Sequence, residues 1–303
     1  MAQFGITTVA AANEEALAVL SGSRVLPLAQ AAAAAGLPES AVPRSLRAAL
    51  ADWDHWCEVA EAAAAQPSGN GWADAAAVEF RPSVTDPPNV YCAGANYYDH
   101  VREMGSAPPD PSQGRPYHFI ASTSVLNGHN QAVARPAGCE KFDWEVELAV
   151  IIGAPAFRVP GAEAASVIAG YTVANDLSLR DFAHRDDIPF NPDWLLSKCY
   201  AGCLPLGPAV TPARQVPDPM NLQMWLRVNG ETRQASSTKE MIYSIGRQIE
   251  FLSSVLPLRP GDVILTGTPA GTGARWNRFL EPGDLVEAEI ELLGTLTTRV
   301  TAP

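Results

Sequence analysis

Glu145 and Glu147 stand two residues apart at the head of the apolar run Val146–Ile152, which ends at Gly153. A run of that length closed by glycine reads as a buried strand. Side chains alternate along a strand, so both carboxylates fall on one face while Val146 and Leu148 fall on the other. Two carboxylates so placed repel, and burying even one ion costs several kcal/mol. A dry pair of this kind calls for a divalent cation, and an all-oxygen donor set suits Mg²⁺, Mn²⁺ or Ca²⁺ better than zinc. A third ligand has to come from elsewhere. Asp176 follows Asn175 at the end of an apolar stretch, residues 168–174, and so sits at a strand end; Asp181 is the alternative.

His100 and Glu103 are three residues apart within residues 97–105. On a turn or two of helix they share a face. A carboxylate beside an imidazole fixes its tautomer and raises its basicity, as a general base requires. Residues 106–116, rich in Pro, Ser and Gly, follow directly and are suited to hinging a lid. Lys198 lies among apolar neighbours in residues 194–200. Lysine is rarely buried without a partner, so it pairs either with substrate charge or with Asp or Glu. Residues 266–273 (Thr-Gly-Thr-Pro-Ala-Gly-Thr-Gly) follow a strand but lack the lysine pattern of a P-loop. Their amides and hydroxyls suit a carboxylate; a simple tight turn is the alternative.

These residues need elements to position them. The first 65 residues are rich in alanine. Residues 17–20 and 24–28 read as short strands about the turn at residues 21–23, and residues 29–35 and 43–65 as helices. Turn chemistry at residues 66–71, followed by Pro82, Pro87 and Pro88, marks a boundary near residue 85. The expected organisation is a small N-terminal α/β domain over residues 1–70, a linker over 71–85 and a larger domain over 86–303. In the larger domain residues 222–228 alternate and run into Asn229-Gly230, the strongest short hairpin signal, with a returning strand at 231–236. Ser237 and Glu240 form a capping box ahead of Ile242, Ile245, Ile249 and Leu252 at helical spacing. Residues 263–266 and 285–293 are further strands. The fold class is α+β, mostly β.

Composition narrows the function. The 303 residues carry a net charge of −12 with Lys and Arg scattered, whereas a nucleic-acid binder needs a basic stripe. Cys57, Cys92, Cys139, Cys199 and Cys203 are odd in number and irregular in spacing, which argues against a disulfide framework and for reduced thiols. The N-terminus shows no basic region followed by an apolar stretch, and the alanine runs fall short of the roughly 20 apolar residues of a membrane span. These readings point to the cytoplasm, with no membrane and no nucleic-acid partner.

Taken together, the segments resemble the fumarylacetoacetate hydrolase family over about residues 86–303. The resemblance rests on ordered blocks: residues 94–105, 143–153 around the glutamate pair, 170–181 around Asn175-Asp176, Lys198 with residues 204–208, residues 260–262 leading to 266–273, and residues 281–284. It implies a β-rich roll of mixed sheets, a β-sandwich behind the small N-terminal domain, and a homodimer. It implies that Glu145, Glu147 and Asp176 are metal ligands, with Mg²⁺ first and Mn²⁺ or Ca²⁺ after it, and that His100 and Glu103 are a dyad on a lid that orders over substrate. Lys198 would serve both catalysis and substrate binding, and Tyr98, Arg180, Gly267 and Thr268 complete the substrate-binding candidates. The implied activity, of a kind used in aromatic compound catabolism, is hydrolysis of a carbon–carbon bond in an acylpyruvate, a small anionic 2-oxo acid. Decarboxylation, isomerisation or hydration of a related acid is the alternative. One departure stands out. Members carry a Phe-hydrophobic-Lys-Pro stretch after the lid, and here it reads Phe119-Ile120-Ala121-Ser122. Ala121 in place of that lysine predicts a wider, less positive mouth and a substrate with a bulkier or uncharged distal group.

Overall fold

In a computed structural model of the chain, the described residues are 3–11, 14–187, 189 and 191–303. The strands expected at residues 17–20 and 24–28 and the helix expected at 29–35 appear, preceded by a strand that was not expected. The alanine-rich N-terminus forms strands β1 (Gly5–Ala11), β2 (Glu14–Ser21) and β3 (Arg24–Pro27), then helix α1 (Leu28–Ala34). The expected helix over residues 43–65 is broken. A short helix Leu46–Ala49 and a 3₁₀ turn Leu50–Asp52 lead into α2 (Trp53–Ala64), because Asp52 leaves the helical region at φ −143°.

The rest of the chain supplies β4 (Val90–Gly94), α3 (Tyr98–Glu103), β5 (Tyr117–Ala121), β6 (Val146–Ile152), β7 (Ile168–Asn175), α4 (Trp194–Lys198) and β8 (Leu204–Pro212). It continues with β9 (Gln223–Val228), β10 (Glu231–Ser237), α5 (Ile245–Val255), β11 (Val263–Leu265), β12 (Leu285–Ile290) and β13 (Gly294–Thr301). An 11-stranded sheet runs β3-β2-β1-β8-β7-β6-β11-β4-β5, with two-residue strands at Ala73–Asp74 beside β3 and Leu126–Asn127 beside β8. A second sheet of five strands runs β10-β9-β12-β13 and ends on Ala132–Ala134.

The residues expected in the N-terminal domain and those of the larger domain share one sheet, joined by Ile6 of β1 opposite Val210 of β8. They also share one apolar layer. Leu28, Ala32, Trp56 and Ala60 of α1 and α2 pack with Ala149, Ile151, Leu206 and Val210 of the large sheet. On the sheet's other face Val146, Leu148, Val150 and Ile152 pack against Met224, Leu226, Val286 and Ala288 of the second sheet and against Ile245 and Ile249 of α5. β6 therefore lies between two apolar layers, and each fully buried Val or Ile on it contributes about 1.5–3 kcal/mol. This is why its sequence is almost continuously apolar rather than alternating.

One helix start was misplaced by the sequence. Ser237 caps only the 3₁₀ turn Thr238–Glu240, by accepting from the Lys239 N–H. The amphipathic helix α5 starts later, with the Ser244 hydroxyl accepting from the Arg247 N–H. Met241 leaves the helical region at ψ 129°, which separates the two starts.

Candidate active site

Glu145 immediately precedes β6 and Glu147 lies within it, on the face shared with Ala149 and Ile151. β7 runs antiparallel beside β6, with Asn175 opposite Val146. Asp176 follows, and its N–H donates to the Glu145 carbonyl at 2.9 Å. Two adjacent strand ends thus bring three carboxylates together, with ligand oxygens all within 4.8 Å of one another. The three residues are 6%, 2% and 2% exposed. Among the described residues theirs is the only cluster of three or more potential ligands. Asp181, the alternative third ligand, is elsewhere. Its carboxylate accepts from the Glu140 and Lys141 N–H groups and ties down that turn.

Lys198 ends α4 and is buried, with Nζ 2.7 Å from Glu145 Oε2 and 2.7 Å from Asp176 Oδ2. Of the two pairings that its apolar setting left open, the carboxylates hold it. Arg180 adds a second cation, with Nη2 2.6 Å from Glu145 Oε1 and Nε 2.8 Å from Asp143 Oδ2. Asp143 is fully buried and also accepts from the Trp144 and Gly273 N–H groups. Sequence reasoning missed it, although Asp143, Glu145 and Glu147 stand at alternate positions along one strand direction.

The charges show what the site lacks. Asp143, Glu145, Glu147 and Asp176 face Arg180 and Lys198, so four carboxylates against two cations leave two negative charges in a dry place. Burial works against ionisation of Glu145, but Lys198 and Arg180 outweigh it and hold its carboxyl down at about 2. Burial, then Asp176 and Glu145, push the Glu147 carboxyl well above the usual range. Among the described residues its one hydrogen-bond donor is the neutral Gly267 N–H at 2.6 Å. Burial likewise raises Asp176 despite Lys198. A divalent cation against Glu145, Glu147 and Asp176 cancels the surplus and supplies the partner that Glu147 lacks, and oxygen donors suit a hard ion. The residues present therefore fit the expected metal.

Opposite the triad lies α3. His100 Nδ1 is 3.4 Å from Glu103 Oε2. Glu103 in turn accepts from the Gly271 N–H at 2.9 and 3.1 Å. Gly271 has φ +102°, and a Cβ there would meet the Arg233 carbonyl oxygen at 2.2 Å. Its own carbonyl accepts from Trp144 Nε1 and Trp276 Nε1, each at 3.1 Å. Three amides of the loop over residues 266–273 are held by protein carboxylates, Gly267 by Glu147, Gly271 by Glu103 and Gly273 by Asp143, so these three are not free for a substrate carboxylate.

A cavity of about 210 Å³ holds the triad, Arg180, Lys198, Thr268 and His100 in its lining, together with Phe119 and the more exposed Met104, Tyr117 and Trp194. Thr268 donates to the Val146 carbonyl at 3.0 Å and accepts from Gln234 Nε2 at 2.9 Å. Two substrate-binding candidates are not in the lining. The Gly267 amide is taken by Glu147, and Tyr98 packs with Val101, Ile242 and Tyr243 while Arg102 lies over its ring. Helical spacing explains Tyr98, because His100 and Met104 share the face that reaches the cavity and Tyr98 is not on it. Ala121 is also outside the lining. It is buried opposite Val90, so the character of the mouth is set by Tyr117 and Phe119 before it. A larger cavity, about 600 Å³, lies between the N-terminal strands and the β12–β13 turn, away from this chemistry. All five cysteines are free thiols, and burial pushes Cys57, Cys139 and Cys203 up to about 12.

Residues 89–301 match the family model for the fumarylacetoacetate (FAA) hydrolase C-terminal domain. A mitochondrial oxaloacetate tautomerase of Homo sapiens, FAHD2B, is 40% identical over 225 residues, which span 74% of this chain and 69% of the relative. Among solved structures, fumarylpyruvate hydrolase from Pseudomonas aeruginosa, in complex with Mn²⁺ and pyruvate, is 32% identical. It matches 72% of this chain and 91% of that one with a TM-score of 0.64. A 5-carboxymethyl-2-hydroxymuconate delta-isomerase from Mycobacterium smegmatis is 29% identical over 99% of both chains, with a TM-score of 0.72. The relatives thus include hydrolases, isomerases and tautomerases, and one is solved with a divalent metal. No helix among the described residues is long and apolar enough to cross a membrane.

Proposed function

We propose a function from one premise: the chain belongs to the fumarylacetoacetate hydrolase family. The reaction is hydrolysis of a carbon–carbon bond in an acylpyruvate, in which R–CO–CH₂–CO–COO⁻ and water give R–COOH and pyruvate. The observation that carries this reading is the His100–Glu103 pair, in which Glu103 is braced by the Gly271 N–H and His100 lines the same small cavity as the carboxylate triad.

Glu145, Glu147 and Asp176 would hold one divalent cation, Mg²⁺ or Mn²⁺, and when bound it supplies a Lewis acid for the 1-carboxylate and 2-oxo group. Lys198 adds fixed positive charge beside that end of the substrate. Glu103 Oε2 faces His100 Nδ1, which assigns the ring proton to Nδ1 and leaves Nε2 free as the base. Nε2 takes a proton from water, and the hydroxide adds to the distal acyl carbonyl. The bond between C3 and C4 breaks, its electron pair stays on the pyruvate fragment as an enolate, and the proton held at Nε2 is returned to C3. The Mn²⁺ and pyruvate in the P. aeruginosa hydrolase support the head-group assignment. The substrate is a small anionic 2-oxo acid, and the family resemblance supports a homodimer. In ¹⁸O-labelled water the released carboxylic acid should carry label. Unlabelled product with release of carbon dioxide makes the enzyme a decarboxylase and ends this reading.

A second reading has its own support. Several relatives at 40% identity are oxaloacetate tautomerases. The same base would then move a proton between C3 and the 2-oxygen of a 2-oxo acid, interconverting its keto and enol forms with no bond between carbons broken. Rapid deuterium exchange at C3 of oxaloacetate, together with no cleavage of any acylpyruvate, would favour it.

A further inference from the structure

We propose that the far end of the cavity selects an acylpyruvate whose acyl group is flat and uncharged, and that Trp194 and Met104 are the residues that read it. The proposal deepens the hydrolase reading and rests on it.

Two short helices repeat one arrangement. On α4, Lys198 holds the carboxylate end of the site while Trp194, four residues earlier, lines the cavity. On the lid side, His100 of α3 and Met104, four residues later at its C-terminal end, both line the cavity. Four residues of helix advance about 6 Å. From the carboxyl carbon of an acylpyruvate to the first atom of R is four bonds, about 5 Å when extended. With its head at the triad, such a substrate is long enough for its R group to reach Trp194 and Met104, which line the same cavity.

That region is built for a flat apolar group. Trp194 and Phe119 are stacked, with centroids 4.9 Å apart and planes 13° from parallel, and Tyr117 lies 6.2 Å from Trp194. Aromatic faces favour offset stacking, and a thioether such as Met104 adapts to ring edges. A second carboxylate would fare badly here. The cavity's Arg and Lys side chains are Arg180 and Lys198, and each already serves two carboxylates. An anion placed among Trp194, Phe119 and Met104 would find no free cationic partner among the lining residues. The specificity that the sequence attributed to Ala121 thus belongs to other residues.

The test is kcat/KM for three 2,4-dioxo acids, with R as methyl, phenyl or a carboxylate-bearing chain. The wild type should prefer phenyl over the carboxylate-bearing substrate by roughly tenfold or more. Trp194→Ala should lower the phenyl/methyl ratio by about tenfold, mostly through KM, and Trp194→Phe should restore much of it. Met104→Ala, on an exposed lid residue, should shift the ratio the same way by a smaller factor and guards against misfolding of the tryptophan variant. Leu195→Ala, outside the lining, should leave the ratio unchanged. A wild-type preference for the carboxylate-bearing substrate, or equal loss on all three from both Trp194→Ala and Met104→Ala, overturns the proposal while sparing the hydrolase reading. If none of the three is cleaved, the hydrolase reading falls with it.

Discussion

The two sides of the cavity are built differently. The floor, Glu145, Glu147 and Asp176, hangs on adjacent strands inside the large sheet, between two apolar layers. The roof, His100 and Glu103, is one short helix whose own packing is a small cluster of Val101, Ile242, Tyr243 and Tyr98. It reaches the loop over residues 266–273 through the contact of Glu103 with Gly271. A floor fixed by the core can hold a fixed charge pattern in a dry site, where misplacement is costly. A roof fixed by a few contacts can move aside to admit substrate and return to complete the base. The difference separates binding from chemistry, and that separation is open to experiment.

The largest effect should come from the floor. Glu147→Ala removes the carboxylate that has no cationic partner of its own. Calorimetric titration with Mn²⁺ should show the site lost, and activity should fall by on the order of 10³-fold or more. Full activity after exhaustive chelation would remove the metal from the account entirely. Next comes the roof. His100→Ala and Glu103→Ala should each lower kcat by about 10²–10⁴-fold with Mn²⁺ affinity unchanged. The double variant should cost little more than the worse single one, since the two act as a unit. If either variant loses the metal, floor and roof are not separable and the comparison fails.

A smaller effect is expected where floor and roof meet. Gly271→Ala places a Cβ against the Arg233 carbonyl at a backbone angle that disfavours L side chains. The loop must shift, and its N–H with it. We expect kcat to drop by roughly tenfold with Ki for pyruvate-type inhibitors nearly unchanged, because the triad does not depend on that amide. Loss of inhibitor binding as well would show that residue 271 supports the floor.

The sequence disclosed the carboxylate pair and the His100–Glu103 dyad better than the contacts that join them, for a physical reason. Glu145, Glu147 and the apolar residues after them obey the period of a strand, a local signal, and the hairpin at Asn229-Gly230 is equally local. The join of β1 to β8 is not, since Ile6 meets Val210 across some 200 residues of chain, and neither strand was identified. The same limit hid the loop's role. Gly271 is 168 residues from Glu103, so its amide reads as free in the sequence and is taken in the fold. Asp143 and Trp194 were within reach: one alternates with the glutamates, and the other stands one helical turn from Lys198.

The smallest expected effect concerns the wall that joins the roof side to the sheet. β5 is the edge strand that carries Tyr117 and Phe119, and His118 lies between them, stacked on Phe251 with Nε2 3.3 Å from Gln248 Oε1. Its Nδ1 is buried without a partner. Burial pushes the imidazole down to about 4, against a weaker opposing contribution from Gln248. Its ordinary value is 6.5, so between pH 6.5 and 4 the unfolded chain binds more protons than the folded one, and stability rises with pH across that window. The contribution is complete above pH 6.5 and lost on acidification towards pH 4, amounting to roughly 1–3 kcal/mol. An edge strand has neighbours on one side only, so the loss should appear first as local opening. Hydrogen exchange should quicken across residues 117–121 as pH falls from 6.5 to 4, after correction for the intrinsic rate, while residues 146–152 stay protected. His118→Phe should flatten that response. If both segments loosen together, the wall is no weaker than the floor, and the contrast between the two sides rests on the lid helix alone.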